Sequence, residues 1–163
     1  DGIDRPVDVI IYGTGFEATD FLSGLDIYGR NGVLLRDAWA QGAEAYRGVG
    51  VAGFPNFFML YGPNTNLGIN SIIFMVERQA NYIVRCVDKI LSHKLKSLDV
   101  NETVMRAYND RMQGELAKTV WVANCDSWYK NDSGKVVNNW PHSTLAYWWH
   151  MRGPEFTDFD MQG

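Results

Sequence analysis

Asn64, Asn70 and Ser71 lie in a polar loop, Gly62-Pro63-Asn64-Thr65-Asn66-Leu67-Gly68-Ile69-Asn70-Ser71, between an apolar run and a long helical pattern. Phe57 to Tyr61 is unbroken apolar sequence, as in a strand covered on both faces. Pro63 ends that run, and Asn70 or Ser71 can cap the helix that follows. Strand, loop and helix in this order leave the helix start facing an open crevice. In open α/β sheets that crevice receives nucleotides and flavins, drawn by unpaired amides and the positive end of the helix dipole.

Two glycine patterns compete for the same chemistry. Gly48-Val49-Gly50-Val51-Ala52-Gly53 spells the dinucleotide fingerprint G-x-G-x-x-G, but Phe54-Pro55 and a strand-like run follow where a helix is required. It is therefore read as a false match. Gly13-Thr14-Gly15-Phe16-Glu17-Ala18 is the G-x-G-x-x-A variant and does follow a β-rich run, Asp8 to Tyr12. Gly24 and Gly29 interrupt any helix after it, so a tight crossover turn explains these glycines as well as a phosphate site does. No carboxylate pair or nucleophile triad supports hydrolysis. Cys86 and Cys125 stand at unrelated spacing, which favours free buried thiols, and His93, His142 and His150 fit no zinc spacing, so no metal is assigned.

Composition narrows the classes. The 163 residues are 46% apolar, enough for one core, and carry a net charge of -4. Clustered Lys and Arg are lacking, which argues against nucleic acid as a partner. The longest apolar stretch, from Ile72, is broken by Glu77, Arg78 and Gln79, so no membrane span is expected. The amino end lacks a secretory layout, leaving the cytoplasm as the expected location.

The elements that must position the loop can be read in outline. Asp8 to Tyr12 looks like a strand whose sheet neighbours are absent from the chain. A short helical turn is expected around Thr19 to Leu22, and Arg30-Asn31-Gly32 should turn a hairpin between Ile27-Tyr28 and Val33-Leu34-Leu35. From Ser71 to about Lys94, Ile72, Val76, Ala80, Ile83, Val87, Ile90 and Leu91 mark the core face of a helix. A second helix, capped by Asp99 or Asn101, carries Val104, Tyr108, Met112 and Leu116 and could pack on the first. A hairpin is expected through Ser127-Trp128-Tyr129 and Lys135-Val136-Val137, and the aromatic tail from Trp140 reads as irregular. Open sheet edges pair readily, so a homo-oligomer formed through them is a further expectation.

Asp8-Val9-Ile10-Ile11-Tyr12-Gly13-Thr14-Gly15-Phe16 resembles the Ala-Thr-Gly-Phe or Ala-Thr-Gly-Tyr segment of class B flavin monooxygenases, with Gly13 in place of alanine. The similarity continues through Gly53-Phe54-Pro55-Asn56, Gly62-Pro63-Asn64-Thr65, Asn70-Ser71-Ile72-Ile73, Glu77, Cys125-Asp126-Ser127-Trp128-Tyr129 and Trp140-Pro141. The Ser-Trp-Tyr segment is most similar to the Baeyer-Villiger branch. The resemblance implies an α/β fold, the carboxyl-terminal part of a flavoprotein with two dinucleotide-binding domains. It would consist of short sheet pieces, two long helices and a carboxyl-terminal hairpin. Residues 1–20 would be the return crossover from an NADPH domain, 21–98 the closing part of the FAD domain, and 99–163 its extension. The family's two amino-terminal fingerprints are not in this sequence, so the remainder of the same polypeptide is the implied partner, and the segment by itself is expected to be inactive.

The implied cofactors are FAD and NADPH. The implied reaction uses O2, through a C4a-(hydro)peroxyflavin, to insert oxygen into a ketone or transfer it to a heteroatom of a small-molecule substrate. By the same resemblance Thr14 and Gly15 would approach flavin and NADP, while Pro63, Asn64, Asn70, Ser71 and Ile72 would meet the isoalloxazine ring. Trp128 would contact NADP, and Leu67, Gly68 and Ile69 would fall beside the substrate. Two rival readings stand beside this one. One is a small NAD(P)-binding reductase built on Gly13 and Gly15. The other is a non-enzymatic aromatic-rich module that uses several of the six tryptophans together.

Overall fold

Residues 72–92 combine strong helix formers with two adjacent apolar stripes, and in the computed structural model, which describes residues 2–13, 19–122, 129–131 and 133–163, they form the longest helix among the described residues. The elements in chain order are α1 (Leu35–Ala38), α2 (Ile72–Ser92), β1 (Ser97–Val100), α3 (Glu102–Leu116), α4 (Thr144–His150) and β2 (Phe159–Gln162), with 3-10 turns at Arg30–Gly32, Val120–Val122 and Phe156–Asp158. α2 buries Met75, Gln79, Tyr82 and Cys86. The aliphatic stripe expected to be core lies alongside: Ile72, Val76, Ala80, Ile83 and Ile90 are half-buried, and Val87 and Leu91 are exposed. Counting aliphatic positions selects one stripe of a two-stripe helix. The stripe that is buried carries larger side chains and a glutamine whose amide is fully paired.

α2 packs against α4 and β1, and its buried stripe meets Tyr108, Met112 and Leu116 of α3 in the main core. α3 is capped as expected at Asn101, whose Oδ1 accepts from Thr103 and Val104 amides. Asp99 belongs instead to β1, where its carboxylate accepts from Arg30 Nε at 2.7 Å and from the Gly53 amide at 3.0 Å. β1 pairs antiparallel with β2 in the register Ser97 to Gln162 through Val100 to Phe159. A smaller core gathers Leu35, Trp39, Ala45, Val51, Phe54 and Met59. The division expected between residues 98 and 99 falls inside β1, and the main core draws residues from both sides of it.

The first expected hairpin turn is present, and the second is seen only in part, because Ser127, Trp128 and Asp132 lie outside the described residues. Tyr28 bridges Leu34, with Asn31 and Gly32 at positive φ in the turn. Lys130 bridges Val136, and Asn131 Oδ1 accepts from the Lys135 amide across the loop. The tail expected to be irregular folds into α4 and β2. Ser143 Oγ accepts from the Ala146 amide to start α4, and Tyr147 is fully buried. Seven residues are too few for a periodic signal, and β2 depends on a partner some sixty residues away.

Two expected strands are not formed. Asp8 to Tyr12 has no ladder, and Val9, Ile10, Ile11 and Tyr12 are all exposed, because no described strand lies beside them. Phe57 to Tyr61 forms no ladder, bends at Leu60 and Tyr61, and is held only at single points: nearby, Asn56 N–H donates to the Leu98 carbonyl, while Met59 N–H donates to Val49 and Tyr61 N–H to the Gln79 side chain. Leu60 and Tyr61 remain exposed, so the covered strand anticipated there lacks neighbours among the described residues.

The core contains one polar knot. Arg47 is buried with φ at +53°, and its guanidinium donates to the carbonyls of His150 at 2.6 Å and Gly153 at 3.3 Å and to Glu155 at 3.1 Å. It also lies over the Tyr46 and Tyr82 rings. Burial pushes the Cys86 thiol up to about 12, which keeps it protonated and unreactive. The His150 ring stacks on Tyr108 with centroids 5.5 Å apart. Burial, then the charges of Arg47, Arg111 and His142, holds it down at about 4. The fold therefore keeps His150 neutral while the unfolded chain protonates it near pH 6.5, and stability must fall as pH drops from about 6.5 to about 4. His150→Gln should flatten that slope, by no more than about 1.4 kcal/mol per pH unit, in urea unfolding followed across this range. An unchanged slope would contradict the assignment.

Candidate functional site

The loop 61–71 is fixed from behind. Thr65, Asn64 and Pro63 are buried. The Asn64 amide N–H donates to the Val137 carbonyl at 2.8 Å, Asn66 N–H to Asn138 at 2.8 Å, and Trp140 N–H back to Asn66 at 2.8 Å. The side chain of Asn64 donates to the carbonyls of Val136 and Asn139, and that of Asn66 donates to Asn139 Oδ1. Thr65 Oγ1 closes the turn on the Gly62 carbonyl at 2.7 Å. Each such bond is worth about 1 kcal/mol net, and losing one in a buried place costs more.

Close backbone approach explains the glycines. A Cβ on Gly48, at φ +72°, would overlap Thr65 and the Pro63 carbonyl, and one on Gly62 would strike the Gly48 carbonyl and Met59. Gly48 and Gly50 turn a tight bridge from Tyr46, and Gly53 is tied to Arg30 and Asp99. No helix starts there, so the letter-for-letter dinucleotide pattern at 48–53 is a packing device. Tyr61 and Asn64 sit at φ +57°, a region costing most residues about 1–2 kcal/mol. The loop is thus held in a conformation it would not adopt alone.

The front of the loop is different. Leu67 is half-buried, Gly68 runs against the Trp121 ring, and Ile69, Asn70 and Ser71 are exposed. Asn70 has φ +86°, which turns the chain into α2. Ser71 occupies the cap position of α2 without a side-chain bond to the helix, and the first turn contains no acid. α3 and α4, by contrast, are both capped by side chains. Among the described residues the amino end of α2 therefore has no side-chain cap and no acid in its first turn, which leaves its first amides and the positive dipole end at an exposed position. Such an end can hydrogen-bond an anion or the electron-rich edge of a ring and stabilise negative charge there.

Of the residues expected at a site, the structure brings Leu67, Gly68, Ile69, Asn70, Ser71 and Ile72 together on this front. Pro63 and Asn64 belong to the back, where Asn64 has its amide committed to carbonyls of 136 and 139. Thr14, Gly15 and Trp128 lie outside the described residues. Among the described residues no shared tryptophan platform forms. Trp39 and Trp140 are buried, and the exposed Trp148 and Trp149 are tilted by 51°, with Arg152 covering Trp149 at 3.5 Å. Gln79, Asn66 and Asn139 carry the loop's anchoring and were not singled out by sequence. Only Gln79 left a signal, as a polar residue in step with Met75, Tyr82 and Cys86. Among the described residues no three His, Cys, Asp or Glu side chains gather to hold a metal, and no helix is long and apolar enough to cross a membrane.

No family model matches the chain. It is 40% identical to an FAD-binding monooxygenase, ktnD, of Aspergillus niger over 168 residues, covering 100% of this chain and 28% of that protein. It is 43% identical to a Baeyer-Villiger monooxygenase of Pseudomonas aeruginosa over 148 residues, covering 90% of this chain and 28% of that one. Among solved structures it resembles OTEMO in complex with FAD and NADP, at a TM-score of 0.80 and 24% identity over 98% of this chain and 30% of the other. A cyclohexanone monooxygenase mutant from Rhodococcus bound to NADP+ gives 0.81 and 23% over 99% and 30%. These two show the fold, and the matching region is the carboxyl-terminal part of those enzymes. The chain spans about 28% of the length of the first curated relatives it matches. In sequence the chain is similar to FAD-binding and Baeyer-Villiger monooxygenases over most or all of its length, and it shares the fold of the carboxyl-terminal part of such enzymes.

Proposed function

We propose that this chain is the carboxyl-terminal portion of an FAD-dependent, NADPH-using monooxygenase that inserts one atom of O2 into a ketone. One observation supports this most: the uncapped, acid-free amino end of α2, set behind a loop locked by 136–140. Residues 1–20 then form the return crossover from an NADPH domain, 21–98 close the FAD domain, and 99–163 extend it.

The residues present fit a flavin. Bound FAD supplies the redox chemistry and the activation of O2. The amides at Ser71 and Ile72 would hold the ring by hydrogen bonds and, with the α2 dipole, would stabilise negative charge on it. Asn70 turns the chain so that these amides point outward. Pro63 and Asn64 would keep the loop in place behind a bound ring. Leu67, Gly68 and Ile69 line the substrate side and exclude water from it. Thr14, Gly15 and Trp128 are assigned to FAD and NADP contacts on the family resemblance. The remainder of the same polypeptide supplies the pyrophosphate loops and covers the exposed apolar residues of 7–12 and of α2 (Ile73, Val84, Val87 and Leu91). Self-association through the same surfaces is the competing occupant. The reading carries with it a cytoplasmic location.

The preference for ketones over heteroatoms rests on Ser127-Trp128-Tyr129 and is tested with the full-length protein. Purified with FAD, it should consume NADPH and O2 and convert a cyclic or linear ketone to an ester or lactone, detected by mass. Turnover of amines and sulfides alone would overturn the ketone assignment, and failure to retain FAD would overturn the flavin reading. Asn64→Ala in that protein should cost about 1–3 kcal/mol of stability, through the orphaned Asn139 carbonyl, the Val136 carbonyl keeping its bond from Gln113 Nε2, and should weaken FAD retention. A loss of stability with flavin binding intact would show that the loop's back does not govern its front.

A further inference from the structure

Gln79 is fully buried in the third turn of α2, a place where a polar side chain needs a reason. Its Oε1 accepts from the Tyr61 N–H at 2.8 Å, and its Nε2 donates to the Tyr147 hydroxyl at 2.8 Å. Tyr147 donates onward to the Arg47 carbonyl at 3.3 Å. The backbone N–H of Tyr61 can only donate, which orients the amide, and the hydroxyl completes a chain running from the loop into the polar knot of the core. A glutamate could not donate to Tyr147, and a leucine would leave the Tyr61 amide unpaired.

The residue that Gln79 grips is the first of the loop, and it is one of the strained ones, at φ +57°. Its ring hydroxyl is bonded in turn to Asn66 Oδ1 at 2.8 Å. Gln79 lies eight residues beyond Ser71, a rise of about 12 Å along the helix axis. The bond to Tyr61 therefore fixes how far the base of the loop stands below the amino end of α2. The clamp at 136–140 holds the middle of the loop and shares the main core with α2, but among the described hydrogen bonds only that of Gln79 ties the loop's base to this helix.

We propose that Gln79 is a positioning residue that sets the offset between the loop and the amino end of α2, and so aims the amides of 71–73 at the flavin. The inference rests on the flavin reading given above. Because those amides favour the reduced, more negative flavin, loss of their aim should lower the flavin's midpoint potential rather than merely the amount of protein that folds.

The test uses the full-length protein purified with FAD, its two-electron potential read by flavin absorbance in a dye-coupled titration. Gln79→Leu should lower the potential by about 30 mV, a tenfold loss of preference for reduced over oxidised flavin. Tyr147→Phe removes the hydroxyl that orients the amide and should shift the potential the same way by less. A folded, FAD-loaded Gln79→Leu protein with the wild-type potential would overturn the inference. Should Gln79→Leu fail to fold, Tyr147→Phe decides, and an unchanged potential there overturns it. Wild-type protein that takes up no FAD would overturn the underlying flavin reading, and this inference with it, a result distinct from an unshifted potential.

Discussion

The structure depends on the clamp between the loop 62–66 and the segment 136–140. Three backbone hydrogen bonds cross it, those of Asn64, Asn66 and Trp140, reinforced by the side chains of Asn64 and Asn66. They join parts of the chain about seventy residues apart, so the closure entropy of a long loop is borne at this point. Without it, a segment with left-handed Tyr61, Asn64 and Asn70 would relax toward ordinary backbone angles. With it, the loop's polar groups are satisfied inwardly and the start of α2 is left open outwardly.

That division of labour is what a cofactor site requires. Binding groups that must meet a flat ring edge work best when they do not have to be organised at the moment of binding. Here the ordering is done by groups that never face the crevice: Thr65 on Gly62, the glycines at 48 and 62 that let two turns touch, and the knot around Arg47. The knot is costly to build, since it buries a guanidinium among Tyr46, Tyr82 and Tyr108. Its return is specificity of arrangement. Arg47 ties the carboxyl end of α4 to the turn that backs the loop, so two elements distant in sequence move as one.

Much of this could be read from residues in order, and the reasons for the rest are physical. The helix over 72–92, the Asn101 cap and the turn at 30–32 follow local rules of periodicity, capping and positive φ, and they formed. The Gly48 to Gly53 pattern was separable from a true fingerprint because its context lacked a helix. α4 and β2 were not legible, because a seven-residue helix and a four-residue strand depend on tertiary partners. Phe57 to Tyr61 and Asp8 to Tyr12 carry strand chemistry but found no ladder among the described residues. The front of the site, 67–72, was visible as a cap-and-loop pattern. The back was not, since Asn66, Gln79 and Asn139 gain their meaning only from partners that the linear order hides.

The central claim is that the loop is rigid behind and the helix start is open in front. Hydrogen exchange of the full-length protein, with and without FAD, reads both faces at once. The account requires the amides of Asn64, Asn66 and Trp140 to exchange slowly in either state, while those at 71–73 exchange fast without FAD and slow sharply when it binds. Fast exchange at Asn64 and Asn66 without FAD, or no change at 71–73 on binding it, would contradict the account.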